Sequence, residues 1–189
     1  MITWGDSIEK AVKKAKEEKK LVLVDFFNPG WVGCQQLDAV SWKNEKVVKV
    51  VTDWFIPARI SGDKQGDLFG KHLVSWTPTI TIWDGEGREH YRFTGFLTPE
   101  DLCARIILDG AKAELALKNY DLTIKCLKDV TEKYKGTCAV PEAIFYLGVA
   151  QYLSSHNPKP LRDGLDRLRK EFPQSEWTLR AKPYELINL

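Results

Sequence analysis

The 189-residue sequence predicts an α/β domain over residues 1–109, with a central mixed sheet flanked by helices, and then an all-α helical-hairpin domain over residues 110–189. Three observations carry that prediction. Helix-period and strand-period segments alternate as far as Ile107. The turn Asp84-Gly85-Glu86-Gly87 joins two strand-like segments as an antiparallel hairpin beside strands that are connected through helices. Strand signals then stop from about Gly110 onward.

Each element has its own reason. Asp6-Ser7-Ile8-Glu9 has the form of a capping box with Asp6 as the cap, and Ile8, Ala11, Val12 and Ala15 follow at the spacing of a buried helical stripe. That predicts a first helix ending near Lys20. Leu21 to Phe27 is apolar except for Asp25, as a strand covered on both faces would be. A turn at Asn28-Pro29-Gly30 leads into a short helix from about Cys34, and Val47, Val48, Val50 and Val51 mark a second amphipathic stretch that ends near Trp54. Phe55 to Ile60 is strand-like and Ser61 to Gly66 is a polar loop. Thr79 to Trp83 alternates, His90 to Phe93 returns across the hairpin, and Thr98-Pro99-Glu100 opens a helix with Pro in its first turn.

The helical region repeats itself. At an offset of about 38 residues Leu127 aligns with Leu165, Val130 with Leu168, Tyr134 with Phe172, Thr137 with Ser175, Ala143 with Ala181 and Tyr146 with Tyr184. Helical pairs that cannot bury their apolar faces alone stack on one another. Pro141 to Gly148 and Glu171 to Ser175 resemble tetratricopeptide-type hairpins, with a period longer than the usual figure of about 34. A plain helical extension is the alternative reading.

Composition excludes several functions. Lys and Arg number 28 against 26 Asp and Glu, a net charge of +2 that supports neither a nucleic-acid nor a membrane-surface partner. No apolar run reaches the roughly 20 residues that span a bilayer. The amino terminus turns polar within a few residues, unlike a secretory leader, so a cytoplasmic location is expected. The four cysteines, Cys34, Cys103, Cys126 and Cys138, are too scattered for a disulfide framework. Cys103, Cys126 and Cys138 are expected on apolar helix faces as core packing. His72, His90 and His156 lack metal-ligand spacing, so no metal is proposed, and no cofactor is implied.

The residues that carry chemistry cluster around Trp31-Val32-Gly33-Cys34. Asp25 lies six residues before Trp31, Thr77-Pro78-Thr79 precedes an alternating strand, and Gly95 follows the last one. On these residues the segment from Ile2 to Ile107 resembles the thioredoxin superfamily, whose members carry Cys-x-x-Cys after a Val-Asp-Phe strand. Arg59 lies near the place of the family's lysine partner to the buried acid, a looser match.

The resemblance implies a thiol-disulfide oxidoreductase fold acting on protein or peptide thiol and disulfide clients. Position 31 would be the nucleophile, at a helix amino terminus where unpaired amides stabilise thiolate. Cys34 would resolve the mixed disulfide. Asp25, whose charged form burial disfavours, would exchange the proton. Trp76, Thr77 and the cis-proline Pro78 would hold substrate backbone.

Trp31 breaks this pattern, because it has no thiol and the chain as written is expected to be inactive or nearly so. Two histories lead to it. One is natural loss of the nucleophile. The other is a selenocysteine codon, UGA, read as the tryptophan codon UGG; the codon in the source gene separates them. Three functional readings follow. The first is the oxidoreductase family with an occupied nucleophile position. The second is a non-catalytic adaptor or chaperone-like protein that binds a protein partner on its helical repeats. The third is a one-thiol enzyme using Cys34.

Overall fold

A computed structural model describes residues 1–188. The chain divides into two compact units, Met1–Asp109 and a second beginning at Gly110.

The first unit is built on a four-stranded sheet in the order β2-β1-β3-β4. Helix α1 (Ile8–Glu18) leads into β1 (Leu21–Phe27), which is buried along nearly its whole length. Ser7, and not Asp6, caps α1, accepting the Lys10 amide on its side chain at 3.2 Å. Both residue types suit the position; Ser7 is the one whose oxygen faces the first turn. Lys19 ends the helix with φ of 53°.

After β1 comes the short helix α2 (Val32–Gln36), which widens into a π-turn at Leu37–Ser41 before α3 (Glu45–Trp54) begins on an Asn44 cap. Helix α2 starts at Val32, two residues before its expected start at Cys34. The π-turn was not legible in the sequence; it turns Cys34, Leu37, Ser41 and Trp42 all inward. Strand β2 (Phe55–Ser61) runs parallel to β1, with Asp25 directly opposite Arg59. The polar loop after it leads to α4 (Gly66–Lys71).

β3 (Thr79–Trp83) is antiparallel to β1, and β4 (Glu89–Thr94) is antiparallel to β3 at the edge. The turn between them is organised by Asp84, whose Oδ1 accepts the amides of Glu86 at 2.9 Å and Arg88 at 3.0 Å, while Gly87 supplies a φ of +80°. Strand β1 thus lies between two neighbours, as its apolar run predicts. The core on one side of it gathers Ile8, Ala11, Ala15, Val22, Val24, Phe26, Ala58, Ile60 and Trp83.

Helix α5 (Pro99–Ala116) opens on Thr98, whose hydroxyl accepts the Asp101 amide and donates to its carboxylate, and the boundary between the units falls within it. The second unit continues with α6 (Tyr120–Lys133), α7 (Val140–Ser155), α8 (Lys159–Glu171) and α9 (Glu176–Ala181), each packed on the next. A short 3-10 turn at Lys182–Leu186 follows.

Positions paired in the internal repeat take equivalent places. Tyr134 and Phe172 end α6 and α8, their amides donating to Val130 and Leu168, and Thr137 and Ser175 donate in turn to Tyr134 and Phe172. Gly148 lies so close to Pro160 that a Cβ there would meet its carbonyl oxygen at 2.8 Å, which lets α7 and α8 cross tightly. A buried ion pair, Lys112 with Glu142 at 2.6 Å, ties the end of α5 to α7 within this unit. Cys126 is buried as expected, with its thiol pushed up to about 12, chiefly by desolvation. Cys138 corrects the expectation for it: it is exposed in the turn before α7, because that turn, and not a helix face, carries it. Among the described residues no helix is long and apolar enough to cross a membrane.

Candidate functional site

The site forms where the carboxyl end of β1, the amino end of α2 and the segment before β3 converge. Asn28 follows β1, and its amide donates to the Cys34 sulfur at 3.4 Å, while its carbonyl accepts the Trp31 amide at 3.0 Å. This closes the turn and delivers Trp31 to the amino-terminal cap of α2. Trp31 makes no side-chain capping bond there. Its ring is half-exposed and packs edge-on against Trp76, with centroids 4.8 Å apart.

Cys34 lies three residues on, 1% exposed. Desolvation pushes its thiol above the ordinary value, although the Asn28 amide, the Thr77 hydroxyl and the Arg59 charge pull the other way. The Thr77–Pro78 peptide is cis. A Cβ on Gly33 would come within 3.0 Å of the Pro78 ring, so the absence of a side chain at 33 lets α2 lie against that proline. Thr79 donates its hydroxyl to the Trp76 carbonyl at 2.8 Å, and Gly95, with φ of +92°, donates its amide to the Pro78 carbonyl at 2.9 Å. Trp76 stands exposed at the rim and Thr77 is buried.

Asp25 lies behind this loop. It is 0% exposed; its Oδ2 accepts Arg59 Nε at 2.9 Å, and its Oδ1 has no hydrogen-bond partner. Desolvation dominates and raises its pKa to about 6, against the downward pull of Arg59. The Trp42 indole N–H also favours the charged form, but from outside close hydrogen-bond geometry. Such a carboxyl can take or release a proton near neutral pH.

Of the residues singled out in the sequence, the structure brings together Asp25, Trp31, Cys34, Trp76, Thr77 and Pro78, with Arg59 and Gly95 beside them. The sequence reading missed Asp38, Trp42, Phe27 and Trp4. Arg59 forms a second ion pair, Nη2 to Asp38 Oδ1 at 2.7 Å, at an angle away from that of a straight hydrogen bond. Its guanidinium lies 4.0 Å from the Phe27 ring centroid and 5.6 Å from that of Trp4. Trp4 in turn meets Trp42 edge-on. The one sequence signal for Asp38 was its place four residues after Cys34; Trp4 is remote in sequence and gave none. Among the described residues no group of three or more His, Cys, Asp or Glu could hold a metal ion.

Comparison with known proteins agrees with this fold. The profile of the thioredoxin-like domain matches residues 8–107. The thiol:disulfide interchange protein DsbD of Escherichia coli strain K12 is 31% identical over 106 residues, covering 53% of this chain and 18% of that protein. The same protein of Shigella boydii serotype 4 is 32% identical over the same coverage. The chain therefore spans less than a fifth of the length of these relatives. A thioredoxin from Thermus thermophilus superposes with a TM-score of 0.50 at 21% identity, over 60% of this chain and 94% of the other. With the match covering more than half of its length, the chain belongs to the thioredoxin-like domain family.

Proposed function

We propose that this chain engages extended protein or peptide thiol and disulfide clients at the Trp76-Thr77-Pro78 edge, and that as written it does not turn over disulfides. One observation carries the second half of that reading. The only sulfur in the loop is Cys34, which is 1% exposed and has its thiol raised by burial, so little thiolate is available and none of it faces a client. In the family's reaction a thiolate at position 31 attacks a client disulfide and expels one client sulfur as a thiolate. Cys34, giving its proton to Asp25, then displaces the second client sulfur and forms a 31–34 disulfide. Trp31 supplies no sulfur for the first step. The proposal includes that position 31 derives from a cysteine or selenocysteine.

The test is the reduction of a peptide disulfide with dithiothreitol as donor. The parent chain should match dithiothreitol alone, and Trp31→Cys should accelerate the reaction by at least an order of magnitude. A folded Trp31→Cys chain as inert as its parent overturns the reading of the site.

A second reading, an adaptor that binds a protein partner through the helical unit, draws support from Leu122, Tyr152 and Leu153, which stand exposed there. Client binding retained in Cys34→Ser and lost on altering those three residues would favour it. We place the protein in a reducing, cytoplasmic setting, supported by the free thiols Cys34, Cys126 and Cys138.

A further inference from the structure

We propose that Asp38 is a positioning residue for Asp25: by sharing the Arg59 guanidinium from its outer side, it keeps the buried carboxyl able to hold a proton. The inference rests on the reading of Asp25 as the proton acceptor of the site.

The geometry is a carboxylate, guanidinium, carboxylate chain that runs outward from the core. Asp25 Oδ2 accepts a hydrogen bond from Arg59 Nε at 2.9 Å, and Asp38 Oδ1 forms an ion pair with Nη2 at 2.7 Å. Asp25 is wholly buried, Arg59 is 17% exposed and Asp38 is 42% exposed, so the chain connects the core to solvent in two steps. Asp38 is not the only contact the guanidinium makes besides Asp25, since it also lies 4.0 Å from the Phe27 ring centroid and 5.6 Å from that of Trp4. What Asp38 adds beside those rings is a negative charge. With a single anion beside it, the arginine would favour ionised Asp25 strongly; a second anion divides that attraction. The planar fork of an arginine can face two carboxylates at once, which a lysine ammonium at the same place does less well.

The other groups that face Asp25 support this assignment. From α2 comes the Cys34 thiol, from the segment after the π-turn the Trp42 indole, and on β3 the residue opposite Asp25 in the strand pair is the apolar Ile80. Arg59 is thus the cation that faces the carboxyl, and the Asp38 charge acts in the direction of a retained proton.

The experiment follows the side-chain carboxyl carbon of Asp25 by NMR against pH, at low salt, in the parent chain, so that it needs no turnover. Asp38→Asn keeps the shape of the contact and removes its charge; the midpoint of Asp25 should fall by about half a pH unit or more. Asp38→Ser, which removes the charge with a different shape, should do the same. In an Arg59→Lys background the same Asp38→Asn change should move the midpoint by less than half as much. An unchanged or raised midpoint in folded Asp38→Asn overturns the proposal. So does an equal fall in both backgrounds, which would mean that Asp38 acts through space and not through Arg59. In the Trp31→Cys chain the rate profile should move with the same midpoint. If that chain is inert the catalytic reading fails, while the titration still decides the role of Asp38.

Discussion

Asp25 and Asp84 are two buried carboxylates on the same sheet, one in the middle of β1 and one just past β3, and they ionise at opposite ends of the carboxylate range. Asp25 is raised to about 6 and Asp84 is lowered to about 2. Both are almost closed to solvent, at 0% and 2% exposure, but Asp25 lies deep between strands whereas Asp84 lies under its own turn near the surface. In both, desolvation is the largest effect and acts upward. The donors decide the difference. Asp84 is met by the His90 ring at 2.9 Å, by Arg88 Nε at 2.8 Å and by two turn amides, so both its oxygens are satisfied in the ionised form. Asp25 has one close donor and an oxygen without a partner. A turn can be held by a permanently charged acid; a proton acceptor needs one left short of donors.

Stability measurements against pH can break this comparison, and the largest effect should come from Asp25. Its folded carboxyl keeps its proton up to about pH 6, whereas an unfolded one releases it near 4. Between those values the folded state binds more protons, so stability falls as pH rises, by about 2 to 3 kcal/mol in all. Denaturant unfolding of the parent should show that decline, and Asp25→Asn should flatten it. A decline of the same size in both chains would show that Asp25 does not titrate high.

Asp84→Ala should come next. It strips acceptors from two amides, Arg88 and His90, and should cost about 2 kcal/mol at pH 7, read from the shift in denaturant midpoint at constant slope. A loss below a few tenths would mean that the turn holds itself without the acid.

The smallest effect is the acid limb. Because the folded pKa of Asp84 lies below its unfolded value, its contribution is complete above about pH 4 and is lost as pH falls through about 2. Discounted for the water close to this turn, the loss is about 1 kcal/mol in the parent and should be absent from Asp84→Asn. An identical acid limb in the two chains would assign the low pKa elsewhere.

Much of the fold was legible because its signals are local. The apolar run of β1, the alternation of β3 and the Asp-Gly-Glu-Gly turn each determine a backbone conformation within a few residues. The cap of α1 was misplaced by one residue because Asp6 and Ser7 are both good caps, and only the direction of the chain entering the helix selects between them. The π-turn escaped because a one-residue widening leaves no mark on a helical period. Cys138 was misplaced because its neighbours are periodic and the turn that exposes it is short.

The sequence by itself determined the class of the first unit, the place of Asp25 on a buried strand, and the absence of sulfur at position 31. These are statements about residue type and local spacing. Only the tertiary structure decided how Asp25 ionises and how far Cys34 is shielded. Arg59 meets the carboxyl from a strand, Asp38 pairs with that arginine from a π-turn, Trp42 lies in the segment behind it, and Trp76 meets Trp31 from a distant segment. The free energy of a buried charge depends on which donors lie within a few ångströms of it, and no local pattern in a sequence specifies that arrangement.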